Sequence, residues 1–257
     1  MDFLEIYIYI IIFIFGSVVG SFLNVLAVRL SNGESIIWPG SHCHNCHHKL
    51  RWYELIPIIS YLIQKGKSRC CNTKIPISYL IIEIITGILY MISYHSFGFS
   101  YDYVISLIFI SSLIVVIVSD IEYMIILDEV IAVSSISIIL LELIFFGLDY
   151  TVDMIVSGIL AFGTMYVVKL IGDRLFKRES MGGGDIKLMF LFGIVIGYAL
   201  SICDIFLATF IAFPVALYIL FRRRDNLIPF GPFLAMGAIL IHISKVDMNG
   251  IINFLIR

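Results

Sequence analysis

Charge is scarce in this sequence. Of its 257 residues 14% are Asp, Glu, Lys or Arg and 60% are hydrophobic, with a mean hydropathy of +1.03. So thin a polar coat excludes a soluble globule, which carries about a quarter of its residues charged. A surplus of either sign is also missing. The formal net charge is −2, which provides no basic footprint, and no nucleic-acid partner is expected. The start, Met1-Asp2-Phe3-Leu4-Glu5, is acidic where a signal peptide is basic, and no small-residue cleavage site follows the first apolar run. A cleavable signal is therefore not expected. A glycine-rich strand-to-helix turn of the kind that cradles a nucleotide is absent too.

What the chain has is apolar length. Eight windows approach the roughly 20 residues that cross a bilayer: 7–28, 76–91, 103–119, 124–146, 152–171, 188–200, 205–221 and 230–243. They predict an all-α fold, a polytopic membrane helix bundle of about eight transmembrane helices with the lipid bilayer as its surroundings. The first basic residue, Arg29, follows the first window, which predicts an N-terminus outside. With that orientation all of the 17 Lys and Arg except Lys245 and Arg257 fall in loops predicted inside. The basic clusters, Arg222-Arg223-Arg224 among them, are thereby explained by topology.

Two carboxylates stand at apolar boundaries on that inner side. Asp120 ends the third window, and Asp185 precedes the sixth within Met181-Gly182-Gly183-Gly184-Asp185-Ile186-Lys187. Three glycines in a row have no side chains to pack, can take positive φ and allow another chain close to the carboxylate. The plainer reading makes them a turn with Asp185 as N-cap of the next helix. An ionisable residue at a span boundary is a functional candidate, against the alternative of an interfacial residue reaching water. In the first span Gly16, Gly20 and Ser21 form a small-residue face for helix packing, and Asn24 is placed to hydrogen-bond across it. Glu83, one turn inside the second span, is expected to face a polar interior. Glu142 raises the same question without an evident partner.

The segment 30–75 is too long for an ordinary connection and holds four of the five cysteines. Cys43-His44-Asn45-Cys46 is a C-x-x-C knuckle, and Cys70-Cys71 follows. A second knuckle would need a cysteine at position 68, which is Ser68. The candidate ligand set for zinc is therefore Cys43, Cys46, Cys71 and Cys70, with His42, His44, His47 or His48 as substitutes and reduced structural cysteines as the alternative. Cys203, alone, is expected to be a small packing residue. Arg51 to Leu62, aromatic and apolar, suits a short segment in the interface or against the bundle.

Taken together, these motifs resemble the type IV prepilin peptidases, membrane aspartyl proteases with a GxGD signature. The likeness runs through Gly20-Ser21-Phe22-Leu23-Asn24-Val25 with Arg29, the Cys43/Cys46 knuckle and Trp52-Tyr53-Glu54-Leu55-Ile56-Pro57. It continues through Arg69-Cys70-Cys71 with Glu83, Asp120 with Asp128, Glu179 to Leu188, and Ile228-Pro229-Phe230-Gly231-Pro232-Phe233. The resemblance implies Asp120 and Asp185 as the catalytic pair, with Asp128 outside it. It implies an approach for extended substrate backbone along Gly182, Gly183 and Gly184. Two departures stand out: Leu127 where the family usually has proline, and Ser68 in the second knuckle. The implied reaction is cleavage, at the cytoplasmic face of the bacterial inner membrane, of the short basic leader of prepilin or pseudopilin precursors. Two close carboxylates share a proton, so one activates water while the other polarises the peptide carbonyl. The resemblance also implies N-methylation of the new N-terminus with S-adenosylmethionine, with peptidase activity alone as the alternative. The corresponding division is 1–29 (first transmembrane helix), 30–75 (cytoplasmic Cys/His loop) and 76–257 (seven-helix membrane peptidase core). A transporter with boundary carboxylates and a zinc-stabilised scaffold are the readings of other classes.

Overall fold

The computed structural model describes residues 3–43, 45–177, 179–221 and 228–246. His44 and the basic residues Arg178, Arg222, Arg223, Arg224 and Arg257, on which parts of the sequence reading rest, lie outside them. Among the described residues all extended regular structure is helical, and the chain divides into two compact units, 1–95 and 96–257. Each of the eight apolar windows overlaps a helix, though 188–200 runs past a break at Gly197 into the helix that carries 205–221. Among the described residues, five helices are long and apolar enough to cross a membrane: Phe3–Ser31, Ile77–Phe97, Tyr101–Tyr123, Leu148–Phe176 and Tyr198–Ile219. The chain is a multi-pass helical membrane protein. Helices suit that environment because each backbone group finds its hydrogen bond within its own segment.

The first unit pairs α1 (Phe3–Ser31) with α3 (Ile77–Phe97), and between them run a 3-10 turn at Trp52–Glu54 and a short α2 (Ile59–Ile63). Small residues set the α1–α3 contact, as their spacing predicts. A Cβ on Gly16 would stand 2.9 Å from the Gly87 Cα, and one on Gly20 would stand 2.8 Å from the Thr86 Cβ. Tyr9 closes the far end, hydrogen-bonded to His95 Nδ1 at 2.9 Å and edge-on to Tyr94. The hydrogen bond expected of Asn24 is not made: the side chain is buried and neither of its polar atoms has a partner among the described residues.

The second unit contains α4 (Tyr101–Tyr123), α5 (Asp128–Phe145), α6 (Leu148–Phe176), α7 (Gly183–Ile196), α8 (Tyr198–Phe221) and α9 (Gly231–Ser244). α4 packs on α5 and α9, while α7 packs on α5, α6, α8 and α9. These two helices carry the core. Phe109, Ile110, Leu113 and Val116 of α4, with Leu188, Met189, Leu191 and Phe192 of α7, are fully buried, and Phe109 meets Phe192 edge to face. α7 starts five residues earlier than its apolar window and ends at Gly197, whose φ of +80° breaks the chain before α8. The boundary differs because the glycines of 183–184 join the helix instead of forming a loop.

Among the described residues, the tightest approach of helix backbone to helix backbone lies between α6 and α7. A Cβ on Gly193 would stand 2.5 Å from the Gly158 Cα and 2.6 Å from the Ser157 carbonyl oxygen. Both obstacles are backbone, so neither can turn aside. Gly193→Leu is expected to destabilise the unit by about 1–3 kcal/mol, the usual cost of overpacking a close contact. A lowered melting temperature in detergent would show it, and an unchanged one would mean that α6 and α7 do not approach this closely.

Candidate active site and cysteine centre

Asp120 lies in the last turn of α4. The helix is closed by Met124 in the left-handed conformation (φ 55°), whose N–H donates to the Asp120 carbonyl at 3.0 Å. The chain then turns through Ile125 and Ile126 into α5. Asp185 occupies the first turn of α7, with Gly182 as N-cap. Asp185 is therefore not the N-cap that the plainer reading made it. It sits a few residues further in, still where the positive end of the helix dipole favours a carboxylate. Both side chains are withdrawn from solvent, Asp120 at 6% exposed and Asp185 at 7%, and the charge of Asp120 acts on Asp185. Burial is ordinary for an apolar side chain; two buried carboxylates within electrostatic reach need a different explanation.

Two residues to which sequence reasoning gave no role of their own build this site. The first is Ile126. Its side chain fills the space beside both carboxylate-bearing ends: a Cβ on Gly184 would stand 2.6 Å from the Ile126 Cβ, and one on Gly231 would stand 3.1 Å from its Cδ1. The second is Gly231, at the start of α9. A Cβ there would stand 2.6 Å from Asp120 Oδ2, and the Gly231 backbone amide hydrogen-bonds the same carboxylate. Pro232, in the first turn, suits a helix start because its missing N–H has no partner to lose. The Pro-Phe-Gly-Pro run at 229–232 was the available signal, since a glycine between prolines at a helix start marks close backbone approach.

The three glycines of 182–184 divide the work unequally. None of them takes positive φ. Gly184 packs on Ile126; Gly182 has Asp185 Oδ2 3.6 Å from its Cβ position; Gly183 has nothing within 4 Å. Asp128, at the start of α5, is exposed and ion-paired with Lys187 of α7 at 2.5 Å, which ties these two helix starts together. Leu127 precedes it at φ −76°, the angle a proline would impose, so the backbone keeps that geometry without the ring. Glu142 (2% exposed) and Asp204 (fully buried) are further carboxylates inside the second unit with oxygens that have no partner among the described residues. Asp204 escaped the sequence reading because it sits within an apolar stretch; its carboxylate lies against Gly237 of α9.

The cysteine loop folds as two copies of one turn. Cys43 N–H donates to the His48 carbonyl at 2.9 Å and His47 N–H to the Cys43 carbonyl at 2.9 Å. Ser68 N–H donates to the Thr73 carbonyl at 2.8 Å and Asn72 N–H to the Ser68 carbonyl at 2.8 Å. His47 and Asn72 share the same left-handed φ, 55° and 56°, and single antiparallel bridges, His42–Lys49 and Lys67–Lys74, flank the turns. Every pair is offset by the same register, 68 − 43 = 25 residues. Ser68 thus occupies the seat that Cys43 has in the first knuckle, and Cys70 enters from the seat of Asn45. The four thiols of Cys43, Cys46, Cys70 and Cys71 nonetheless come within 4.8 Å of one another. Such a set of sulfurs is able to hold a soft divalent metal. The Thr73 hydroxyl and backbone N–H draw the Cys71 thiol down to about 5. Cys70, 2.9 Å away, pushes Cys46 up to about 12.

This geometry yields a test of ligand identity. If Cys70 replaces the missing knuckle cysteine, Cys70→Ser should weaken metal binding at least about tenfold, and adding Ser68→Cys should restore it by returning the thiol to its regular seat. Metal content by mass spectrometry after dialysis measures both; equal retention in Cys70→Ser and the parent would exclude Cys70 as a ligand.

Residues 107–217 match the model of the type IV leader peptidase family, and residues 14–97 match that of the bacterial peptidase A24 N-terminal domain. The chain belongs to the type IV leader peptidase family. Among its relatives in the family, the prepilin leader peptidase/N-methyltransferase of Bacillus subtilis (strain 168) is 33% identical over 262 residues, covering 96% of this chain and 97% of that one. The protein of the same name from Vibrio cholerae is 31% identical, covering 93% and 98%. That from Myxococcus xanthus is 31% identical over 184 residues, 72% of this chain, which spans 55% of its length. No solved structure matches the chain. Family membership agrees with the resemblance read from the motifs, and the second family model covers Asp120, Asp185 and the glycines between them in one match.

Proposed function

We propose that this protein is a membrane aspartyl endopeptidase that removes the short basic leader from type IV prepilin or pseudopilin precursors and N-methylates the new N-terminus. The observation that carries the proposal is the pair of buried, interacting carboxylates Asp120 and Asp185, on two helices that pack within one unit of a leader peptidase family member. One carboxylate carries the shared proton and donates it to the oxygen of the scissile carbonyl; the other takes a proton from the attacking water. The peptide bond breaks as the protonated amine leaves, with no covalent link to the enzyme. The Gly231 amide hydrogen-bonds Asp120, and Ile126 keeps the site close-packed. Gly183, with open space before it, supplies a path for extended substrate backbone beside Asp185.

All eight apolar segments cross the membrane, with the N-terminus outside and the aspartates at the cytoplasmic face, an orientation that the distribution of Lys and Arg supports. A basic leader stays on that side for the same electrostatic reason, so its junction with the apolar helix meets the aspartates at the membrane boundary. Segments 1–29, 30–75 and 76–257 act as anchor, metal-stapled loop and peptidase core. Zinc is the metal we assign to Cys43, Cys46, Cys70 and Cys71, a closed four-sulfur set with a structural role. S-adenosylmethionine, when bound, supplies a methyl group on a cationic sulfur to the new amine. The test is direct: detergent-solubilised protein incubated with a prepilin-like substrate is expected to release the leader and leave a methylated N-terminus in the presence of S-adenosylmethionine. Absence of cleavage on every such substrate would overturn the peptidase, and cleavage without methylation would leave peptidase activity alone.

A further inference from the structure

Glu142 stands in an apolar stretch with no partner evident in the sequence, and the fold gives it a setting. The helix ends of the second unit form two opposite faces. Asp120 is in the last turn of α4 on one of them; Asp102, in the first turn of α4, stands on the other, about 27 Å away at the helical rise of 1.5 Å per residue. That separation matches a hydrocarbon core roughly 30 Å thick, which puts the Asp102 end at the membrane boundary opposite the aspartate pair. A pocket of about 220 Å³ opens there, wholly among residues 97–246 of the second unit, and each of the helices α4 to α9 contributes to its wall.

The inner end of the pocket is polar and unsatisfied. Glu142, near the end of α5, is 2% exposed, and its Oε2 has no hydrogen-bond partner among the described residues. His242, in the last turn of α9, is in the same state at Nε2, with its ring packed on Phe97 and Phe109 at centroid distances of 5.0 and 5.3 Å. One turn deeper along α8 and α9, Asp204 is fully buried against Gly237 and adds a further carboxyl group. Buried polar atoms of this kind are costly to leave unpaired, so a pocket that ends on them calls for a partner from outside the chain. The mouth carries the opposite charge. Lys245 follows α9, its ammonium 4.6 Å from the Phe97 ring centroid and in no ion pair among the described residues. Tyr150 is half-exposed beside it, close enough for the charges of Glu142 and Asp102 to act on its phenol. Phe146, whose ring lies 5.0 Å from that of Tyr150, and Val246 add exposed apolar surface at the rim.

These features select the occupant. A metal ion fits poorly, since among the described residues only the four cysteines form a set of ligating side chains within 4.8 Å of one another. A bare monovalent cation would meet the Lys245 ammonium at the mouth. The volume is also below the roughly 300–1,000 Å³ of sites that enclose a whole small molecule. A compact zwitterion whose ammonium leads and whose anion follows satisfies both ends, and an apolar rim at a membrane boundary suits acyl chains behind it. We propose that this pocket receives the headgroup of an aminophospholipid such as phosphatidylethanolamine. Its primary ammonium donates to Glu142 Oε2, and its phosphate is met by Lys245 and the Tyr150 hydroxyl. A lipid seated there bridges all six helices of the unit at the end away from the aspartates and braces them.

Native mass spectrometry of the full-length protein in detergent tests the assignment, with phosphatidylethanolamine, phosphatidylcholine and phosphatidylglycerol of the same acyl chains titrated separately. The parent is expected to retain phosphatidylethanolamine at concentrations at least tenfold lower than either of the others, because the choline ammonium has no N–H to donate and the glycerol headgroup has no cation. Glu142→Gln should erase that preference, and Lys245→Met, at the exposed rim, should weaken retention of phosphatidylethanolamine several-fold. Phosphatidylethanolamine should also raise the melting temperature of the parent more than phosphatidylcholine does, as a ligand of the folded state must, and that gain should vanish in Glu142→Gln. Equal retention of the three lipids by the parent, or an unchanged preference in Glu142→Gln, would overturn the proposal. So would displacement of the lipid by an equal concentration of free phosphoethanolamine, which would point to a soluble zwitterion instead. The lipid comparison uses unmodified protein, so an unfolded variant does not blunt the test, and leader cleavage is not its readout, so the result is independent of the function proposed above.

Discussion

Asp185→Asn and Asp120→Asn are each expected to lower the rate of leader cleavage by about 10²–10⁴-fold, the range that positioned acid–base groups contribute. The reason is specific to two carboxylates sharing a site. Each role, taking a proton from water and giving one to the carbonyl, needs a group that exchanges protons, and an amide does neither. Asparagine is nearly isosteric, so the packing of α4 and α7 around Phe109 and Phe192 should survive. Helix content and melting temperature should accordingly stay close to those of the parent. Asp128→Asn is the comparison: it removes an exposed ion pair with Lys187, a type of contact worth about 0–1 kcal/mol. Cleavage should fall far less than in the other two. Undiminished cleavage in either Asp120→Asn or Asp185→Asn would sink the two-carboxylate mechanism.

The second large effect belongs to a residue without a side chain. Gly231→Val should reduce cleavage by about a hundredfold, because displacements of about 1 Å at a reacting group have that consequence. The new Cβ would stand 2.6 Å from Asp120 Oδ2 and 3.1 Å from Ile126 Cδ1, so either the carboxylate or the start of α9 must move. Moving α9 would also break the hydrogen bond from the Gly231 amide to Asp120. Two glycines beside Asp185 separate packing from substrate contact in the same assay. Gly184→Ala meets Ile126 at 2.6 Å and should act through the protein's own packing, with a lowered melting temperature. Gly183→Ala meets nothing of the protein within 4 Å, so a raised KM with unchanged stability would mark the path of the substrate backbone. Cleavage by Gly231→Val at the parental rate would mean that α9 does not abut Asp120.

The helices were readable from composition because a lipid-facing segment must be continuously apolar and must satisfy its own hydrogen bonds, and that requirement is written residue by residue. Their ends were less so: α7 begins at Gly183 and not at Leu188, since glycines that read as a turn are recruited into a helix by packing against Ile126. The two aspartates proposed as the catalytic pair were singled out by their boundary positions and by motif. The partners that make them a site, Ile126 and Gly231, were given no role, because nothing local distinguishes an isoleucine after a helix end or says which carboxylate a distant glycine will touch. The same division holds in the loop. Cys43 and Cys46 declare a knuckle by spacing, but only the folded turn reveals that Ser68 sits in a ligand's seat and that Cys70 reaches the cluster from another. Fold class, membrane residence and the choice of the two carboxylates we propose as the catalytic pair follow from local chemistry along the chain. Which backbone approaches Asp120, which thiols converge and where a cavity opens depend on contacts between segments far apart in sequence, and only the packed molecule decides those.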